Sequence, residues 1–248
     1  MDKIKVALLN PEAILSAETM LACAARLTQG GHKIKSMSDF FNVYYQPHTA
    51  DFIKRLSDLP HPTLQKFSVV NVVVVGASRR FLAQITRHQN EVKFMSASLQ
   101  YSNYMDAADF VVPYNLLNSV RKAQYISQCK AAMQEYKNFI LTGLDNDSAG
   151  YLAPQGLRNV LIISATPYQW KHMIGQRVCR RNTDETRYVM LRIWEKLFEK
   201  APELFDCGPF CMHGLCKEGR MSCQKPLERG MTPTAIIDAD FPLLSEVE

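Results

Sequence analysis

The sequence predicts a single α+β domain, and three observations lead to this prediction. The stretch FSVVNVVVVG (67–76) is a run of β-branched residues that ends in Gly, and it is the clearest strand in the chain. Several amphipathic helical patterns lie on both sides of it, while few other segments have the pattern of a strand. The 248 residues contain no internal repeat and no low-complexity linker, so one substantial core is expected.

The helices are predicted from apolar spacing and from the residues that begin and end them. Residues 3–9 predict a short strand, after which Asn10 is expected to cap a helix that ends at Gly30-Gly31. Ser78 and Thr166 are expected to cap two further helices. The remaining helices are predicted at 48–59, at 120–143 and from a cap at Asn182 or Thr183 to Pro202. Their apolar positions predict a core that includes Trp170, Met173, Ile174, Val178, Val189, Met190, Ile193, Trp194 and Leu197.

Composition excludes several classes of protein. Apolar residues make up 47% and charged residues 21% of the chain, which is ordinary for a folded globular protein and excludes a mainly disordered one. The net charge of +5 suits small anionic ligands, and no Lys/Arg block favours nucleic acid. No apolar run approaches the roughly 20 residues of a membrane span, and the N-terminus lacks a signal-peptide core. A cytoplasmic protein without a membrane partner is therefore expected.

Known motifs of nucleophilic and nucleotide-hydrolysing enzymes are absent from the sequence. It contains no G-x-S-x-G, no Walker Gly-Lys-Ser/Thr loop, no G-x-G-x-x-G and no His-Glu-x-x-His. If the protein is an enzyme, a cofactor is expected to carry the chemistry while the protein binds and orients it.

Two groups of basic residues are candidates for anion binding. Gln84, Arg87 and His88 are spaced i, i+3 and i+4, which predicts one shared helix face, and the serine-rich segment 96–102 follows them. Hydroxyl groups backed by an Arg can hold phosphate, although a solvated helix face would have the same composition. The second group is Arg177, Arg180, Arg181 and Arg187. It could bind phosphate or a pyrimidine edge, or it could be a surface paired with Asp184 and Glu185.

Cysteines are concentrated near the C-terminus. Four of the seven, Cys207, Cys211, Cys216 and Cys223, lie within 17 residues, and the odd total argues against a secreted disulfide framework. Their C-x3-C-x4-C-x6-C spacing differs from the usual pairs of zinc knuckles. A zinc site and free, oxidisable thiols are both compatible with this pattern.

Several motifs together resemble those of the flavin-dependent thymidylate synthases. GASRRFLAQITRH (76–88) is similar to the G-x-S-R…Q-x-x-R-H-R stretch of that family, and SLQYS (98–102) resembles the end of its R-H-R-x7-S signature. Other similar pieces occur in the same order along nearly the whole chain. They are AARLT (24–28), HPT (61–63), LRNVLI (157–162), QRVCRRNTDETRYVMLRIW (176–194) and the cysteine-bearing tail.

This resemblance implies a domain at 1–205, with helices packed on a small, mainly antiparallel sheet, and a cysteine-rich tail at 206–248. It implies a homotetramer that binds a dUMP-like pyrimidine nucleotide and FAD, and that uses NADPH and methylenetetrahydrofolate to methylate C5 of the base. The residues implied to hold the nucleotide are Gln84, Arg87, Ser98, Gln100, Arg158 and Arg180, of which Ser98 and Arg180 would act in catalysis. Those implied to lie along the flavin are His61, Thr63, Arg87, His88 and Gln89.

The chain departs from the family pattern within the motifs that would contact ligands. Gln89 and Gln100 stand where the family has arginines, and the distance from Arg87 to Ser98 is one residue longer. Where the family has Glu-His after the HPT element, this chain has Lys66-Phe67. Where the family has Ala-Gln-Trp-Glu in its late helix, this chain has Glu185-Thr186-Arg187-Tyr188. Two hypotheses follow: an active methyltransferase for dUMP or a related nucleotide, or a relative that has lost the reaction but still binds a nucleotide.

Overall fold

The computed structural model describes residues 1–214, 216 and 218–244. Four strands and nine α-helices are found within these residues. The strands are β1 (Lys5–Leu8), β2 (Val70–Ser78), β3 (Val92–Ser96) and β4 (Arg158–Ala165). The helices are α1 (Glu12–Gly30), α2 (Met37–Tyr44), α3 (Ala50–Ser57), α4 (Arg79–Ile85), α5 (Lys122–Leu141), α6 (Asn146–Gly150), α7 (Pro167–Arg177), α8 (Asp184–Lys200) and α9 (Pro233–Asp240).

The four strands form one antiparallel sheet in the order β1-β2-β4-β3. The valine-rich β2 lies in the interior of the sheet, where its alternate residues Val70, Val72 and Val74 are fully buried. Gly76 interrupts the β2–β4 register as a bulge and has a left-handed φ of +83°, with no room for a Cβ beside the Lys3 carbonyl. The predicted fold class, helices on a small antiparallel sheet, is confirmed.

The core lies between this sheet and helices α7 and α8. The predicted apolar positions of both helices are buried, including Trp170 and Trp194. Each indole nitrogen has a backbone acceptor: Trp170 Nε1 donates to the Val70 carbonyl at 3.1 Å, and Trp194 Nε1 donates to the Phe205 carbonyl at 2.9 Å. Burial of large aromatic groups with satisfied donors fixes α7 and α8 against the sheet.

Some local predictions were wrong. Asn10 does not cap α1; its amide instead bonds to the backbone of Val69 and Asn71, so it joins β1 to the neighbouring strand. Helix α4 is capped by Ser78 as predicted, but it ends at Ile85. Arg87 and His88 therefore lie beyond the helix and do not share a helix face with Gln84. Helix α2, capped by Ser36, was not predicted.

The segment 206–248, set apart in the sequence as a cysteine-rich tail, packs against the rest of the chain in its described part. Helix α9 lies on α8, and Ile236, Ile237, Phe241 and Leu244 belong to the main hydrophobic core. Burial of apolar side chains of this kind joins the segment to the domain. Among the described residues, no helix is long and apolar enough to cross a membrane.

Candidate functional site

The polar cavity that contains the R-H-Q sequence is the candidate site. It has a volume of about 720 Å³ and is called here the signature cavity. Its wall is formed by Lys66, by the loop 87–91 and by Tyr168, Gln169, His172 and Gln176 of helix α7. Tyr168, His172 and Gln176 are spaced i, i+4 and i+8 on the side opposite the buried apolar stripe, a polar pattern that is visible in the sequence.

The loop is positioned by the end of α4 and the start of β3. Thr86 Oγ1 donates to the Leu82 carbonyl at 2.9 Å, and the His88 amide donates to the Ile85 carbonyl at 3.2 Å. Glu91 takes a left-handed φ of 56°, which turns the chain into β3. The loop is therefore anchored at both ends, while Arg87 and Gln89 between them are exposed.

His88 is held neutral. It is buried, and its Nε2 accepts a hydrogen bond from Arg177 Nε at 2.7 Å, which places the ring proton on Nδ1. Burial, the Arg177 charge and nearby His172 lower the pKa of His88 to about 4. His88, which lines the signature cavity, thus acts as a neutral partner that fixes the Arg177 guanidinium; Arg177 itself lines a neighbouring cavity.

Arg87 is exposed and forms no ion pair with any residue that the structure describes. Lys66, on the opposite side of the loop, is paired with Glu91 at 2.7 Å and lies 5.0 Å from the Tyr168 ring centre. Because the one acidic wall residue is already paired, the charge of Arg87 is not neutralised. The signature cavity therefore presents a guanidinium that can bind a phosphate or another anion in bidentate fashion.

The second basic group has a different structure. Arg180 donates from Nη2 and Nε to the two carboxylate oxygens of Asp240, at 2.8 and 3.1 Å. Arg187 donates to the same carboxylate and lies 5.2 Å from the Phe241 ring centre. The surface alternative, pairing of these arginines with Asp184 and Glu185, was wrong. Asp184 accepts from Asn115 and Glu185 accepts from Ser78, so the arginines take their partner from the C-terminal segment.

Arg158 also has partners within the chain. It lies at the start of β4, donates to the Gly76 carbonyl at 2.7 Å, and has Asp109 at 3.2 Å and Asp2 at 3.8 Å as ion-pair partners. It does not line the signature cavity. Its predicted role in nucleotide binding requires those carboxylates to be displaced or the ligand to reach it from another face.

Other predicted site residues lie outside the signature cavity as well. Ser98 Oγ accepts from the backbone amides of Gln100 and Tyr101, at 3.1 and 3.4 Å, in an exposed turn after β3. His61 and Thr63 are exposed on the short 3₁₀ segment around Pro62–Gln65, next to Lys66. Within one chain, the cavity thus brings together Arg87, His88 and Gln89 but not Gln84, Ser98, Gln100, Arg158, Arg180, His61 or Thr63.

The four C-terminal cysteines do not form one cluster. Cys211 and Cys216 border a cavity together with Cys179, whereas the buried Cys207 lies by Lys171 in a different cavity. Among the described residues, no group of three or more His, Cys, Asp or Glu could hold a metal ion, and all four cysteines are free thiols. The structure therefore does not support the zinc alternative.

Comparison with known proteins identifies the family. The family model described as "Thymidylate synthase complementing protein" matches residues 12–203. The flavin-dependent thymidylate synthase of Geobacter sulfurreducens is 25% identical over 91% of this chain and 96% of its own length. The enzyme of Thermococcus onnurineus is 27% identical over 68% of this chain and 73% of its own length.

Solved structures share the fold. The UMP/dUMP methylase PolB from Streptomyces cacaoi, bound with 5-Br dUMP, superposes with a TM-score of 0.63 at 13% identity, covering 83% of this chain and 94% of PolB. Thymidylate synthase X from Helicobacter pylori, with FAD and dUMP, gives a TM-score of 0.61 at 15% identity, covering 82% of this chain and 97% of that enzyme. With its four-stranded sheet and a family match over most of its length, the chain belongs to the flavin-dependent thymidylate synthase family.

Proposed function

We propose that this protein is a flavin-dependent enzyme that methylates C5 of a pyrimidine nucleotide, dUMP or a close relative, with methylenetetrahydrofolate and NADPH as co-substrates. The observation that carries the proposal is the unpaired Arg87 in the signature cavity, next to the fixed Arg177 and neutral His88. Two relatives in the family are named for this activity, and the related Helicobacter pylori structure contains FAD and dUMP.

The residues of the signature cavity fit a flavin nucleotide. Its volume of about 720 Å³ and its free guanidinium suit a large anionic cofactor, and Tyr168 and His172 offer aromatic faces. When bound, FAD would supply the transfer of reducing equivalents from NADPH to the one-carbon unit. Arg87 would bind a phosphate group, and Arg177, bonded to His88 outside the cavity wall, would add positive charge nearby. Gln89 would donate an amide hydrogen bond where the family has a charged group.

The nucleotide would be held by residues from more than one copy of the chain. Ser98, Gln100 and Arg158 do not reach the signature cavity of their own chain, so we propose a homotetramer whose active sites combine them with Arg87 of a neighbour. The oxygen of Ser98 already accepts two backbone N–H groups, which leaves its O–H free to donate to a ligand. Ser98 would thus position the nucleotide during catalysis.

A second candidate function is supported by a separate observation. Arg158 and Arg180, which the family resemblance assigns to the nucleotide, are both paired with carboxylates of their own chain. Breaking a partly buried pair costs free energy, because it leaves the other charge uncompensated. A relative that binds a nucleotide through Arg87 but has lost the methylation reaction fits this pairing. In that protein Arg180 would have a structural role only, not a catalytic one.

The two candidate functions can be distinguished by the flavin content of the purified protein and by its turnover of the nucleotide. Purified protein is expected to show visible absorption of oxidised flavin and to convert dUMP, or UMP, to its 5-methyl product when methylenetetrahydrofolate and NADPH are present. Flavin bound without turnover of either nucleotide would favour the second candidate. Protein that binds no FAD, with or without dUMP, would exclude the first.

Complementation tests the shared active site. Arg87→Ala and Ser98→Ala are each expected to lose most activity, and tetramers that mix the two variants should regain part of it, because one site then receives both native residues. Equal inactivity of the mixed and separate variants, in tetramers of unchanged size, would show that each site lies within one chain.

A further inference from the structure

A second cavity lies beside the signature cavity on helix α7, and the proposed reaction gives no role to Ser57, Gln65 or Lys171 on its wall. It has a volume of about 420 Å³ and is called here the lysine pocket, because Lys171 lies on its wall. Ser57 and Gln65 form one side, Cys207 lies near the lysine, and Tyr168 and Phe210 supply aromatic surface. Tyr168 and His172 line both this pocket and the signature cavity, so the two cavities are neighbours.

Lys171 has no carboxylate partner among the described residues. Its Nζ donates to the Ser57 carbonyl at 3.3 Å and to the Ser57 hydroxyl. The nearby Asp206 is paired with Lys54 at 2.6 Å. Cys207 supplies no countercharge either, because burial raises the pKa of its thiol to about 12. Burial also lowers the pKa of Lys171, a cost that a bound anion would remove.

Gln65 supplies an acceptor in the wall of the same pocket. The residue is only 6% exposed, and its Nε2 donates to the Ser57 carbonyl at 3.0 Å, the same oxygen that accepts from Lys171. The other end of the amide, Oε1, is shielded from solvent and receives no hydrogen bond in the described residues. An unsatisfied buried acceptor costs free energy, so a bound donor would be favoured.

We propose that the lysine pocket binds a small organic acid whose carboxylate lies next to a hydroxyl or amino group. The carboxylate pairs with Lys171 Nζ, and the neighbouring donor bonds to Gln65 Oε1. An aromatic or aliphatic substituent of the acid packs against Tyr168 and Phe210. This ligand differs from the phosphate-bearing nucleotide and flavin proposed for the signature cavity.

Calorimetric titration of the full chain with two matched acids tests this assignment. Mandelate and phenylacetate differ by one hydroxyl group, the group expected to donate to Gln65 Oε1. Mandelate is expected to bind about tenfold more tightly, because one hydrogen bond to a buried acceptor contributes roughly 1.4 kcal/mol. Failure of both acids to bind, or equal affinity for the two, would overturn the proposal.

Single substitutions test whether the acids bind in the lysine pocket. Lys171→Met should abolish binding of both acids, and Gln65→Leu should abolish the preference for mandelate while phenylacetate still binds. Lys66→Met is the matched control: it removes a lysine next to the same Tyr168 from the neighbouring cavity, and should leave both affinities unchanged. An equal loss in Lys66→Met would place binding in the signature cavity and overturn the proposal. If Lys171→Met does not fold, Gln65→Leu alone tests the proposal. Loss of its preference for mandelate supports the proposal, and an unchanged preference overturns it. The readout is the affinity for the acids and requires neither flavin nor turnover, so the proposed enzyme activity can fail independently.

Discussion

Two groups of arginines in this protein have the same chemistry and opposite surroundings. Arg180 and Arg187 share the carboxylate of Asp240, and Arg187 is buried over Phe241. Arg87 is exposed in the signature cavity without an ion pair in the described residues, and nearby Arg177 is bonded to a neutral histidine instead of a carboxylate. The first group is neutralised within the chain and joins the C-terminal segment to α8 and to the turn that precedes it. The second group retains its charge and can bind an anion.

The difference shows that a basic motif alone does not identify a ligand site. The sequence favours both groups equally as phosphate binders. Only the residues with which each arginine is paired in the structure distinguish the two groups. The carboxylate that neutralises Arg180 lies 60 residues away in the chain, in a segment that had been expected to form a tail. The signature loop keeps an unpaired charge, while Arg180 and Arg187 are paired with Asp240.

The largest expected effect comes from removing the shared carboxylate. Asp240→Ala leaves Arg187 buried and unpaired, and should lower the free energy of unfolding by about 3 to 5 kcal/mol in chemical denaturation. Glu199→Ala, which removes an exposed i,i+3 partner of Lys196, is the control and should change it by less than about 1 kcal/mol. Similar, small losses in both variants would mean that the Asp240 cluster is not structural.

The pH dependence of the free energy of unfolding tests whether His88 is neutral in the folded protein. The pKa of His88 falls from 6.5 to about 4 on folding, so the unfolded chain binds a proton first as pH falls. Stability from this group is complete above pH 6.5 and is lost between pH 6.5 and 4, by on the order of 3 kcal/mol in the ideal case. His88→Gln should flatten that slope, whereas His32→Gln, at an exposed site, should not. An unchanged slope in His88→Gln would contradict the assignment.

A smaller effect is expected from restoring the family charge in the signature cavity. Gln89→Arg should tighten FAD binding about tenfold, since a charge-assisted hydrogen bond typically contributes roughly 1.5 to 3 kcal/mol, less the repulsion from Arg87. Gln176→Arg adds the same charge on the opposite wall of the cavity and serves as the control. Equal gains in both variants would show a general effect of charge and no specific position for the flavin.

The scaffold could be predicted better than the site for a physical reason. The β-branched run of β2 and the apolar stripes of α7 and α8 define buried surfaces locally, and each was found where the pattern predicted it. The pairing of Arg180 with Asp240 and the bond from Arg177 to His88 connect distant segments, which one sequence does not show. The early end of α4 was missed because the polar face Gln84, Arg87 and His88 has helical spacing, although the chain turns at Thr86.

The affinity for FAD in a matched pair of arginine variants tests the central claim most directly. Arg87→Ala removes the unpaired guanidinium from the signature cavity, and Arg181→Ala removes an exposed guanidinium that lies outside it. FAD binding, followed by flavin fluorescence in the folded proteins, should weaken about 100-fold in Arg87→Ala, corresponding to roughly 2.7 kcal/mol, and should stay unchanged in Arg181→Ala. Equal affinities in wild type and both variants would contradict the assignment of the signature cavity as the flavin site.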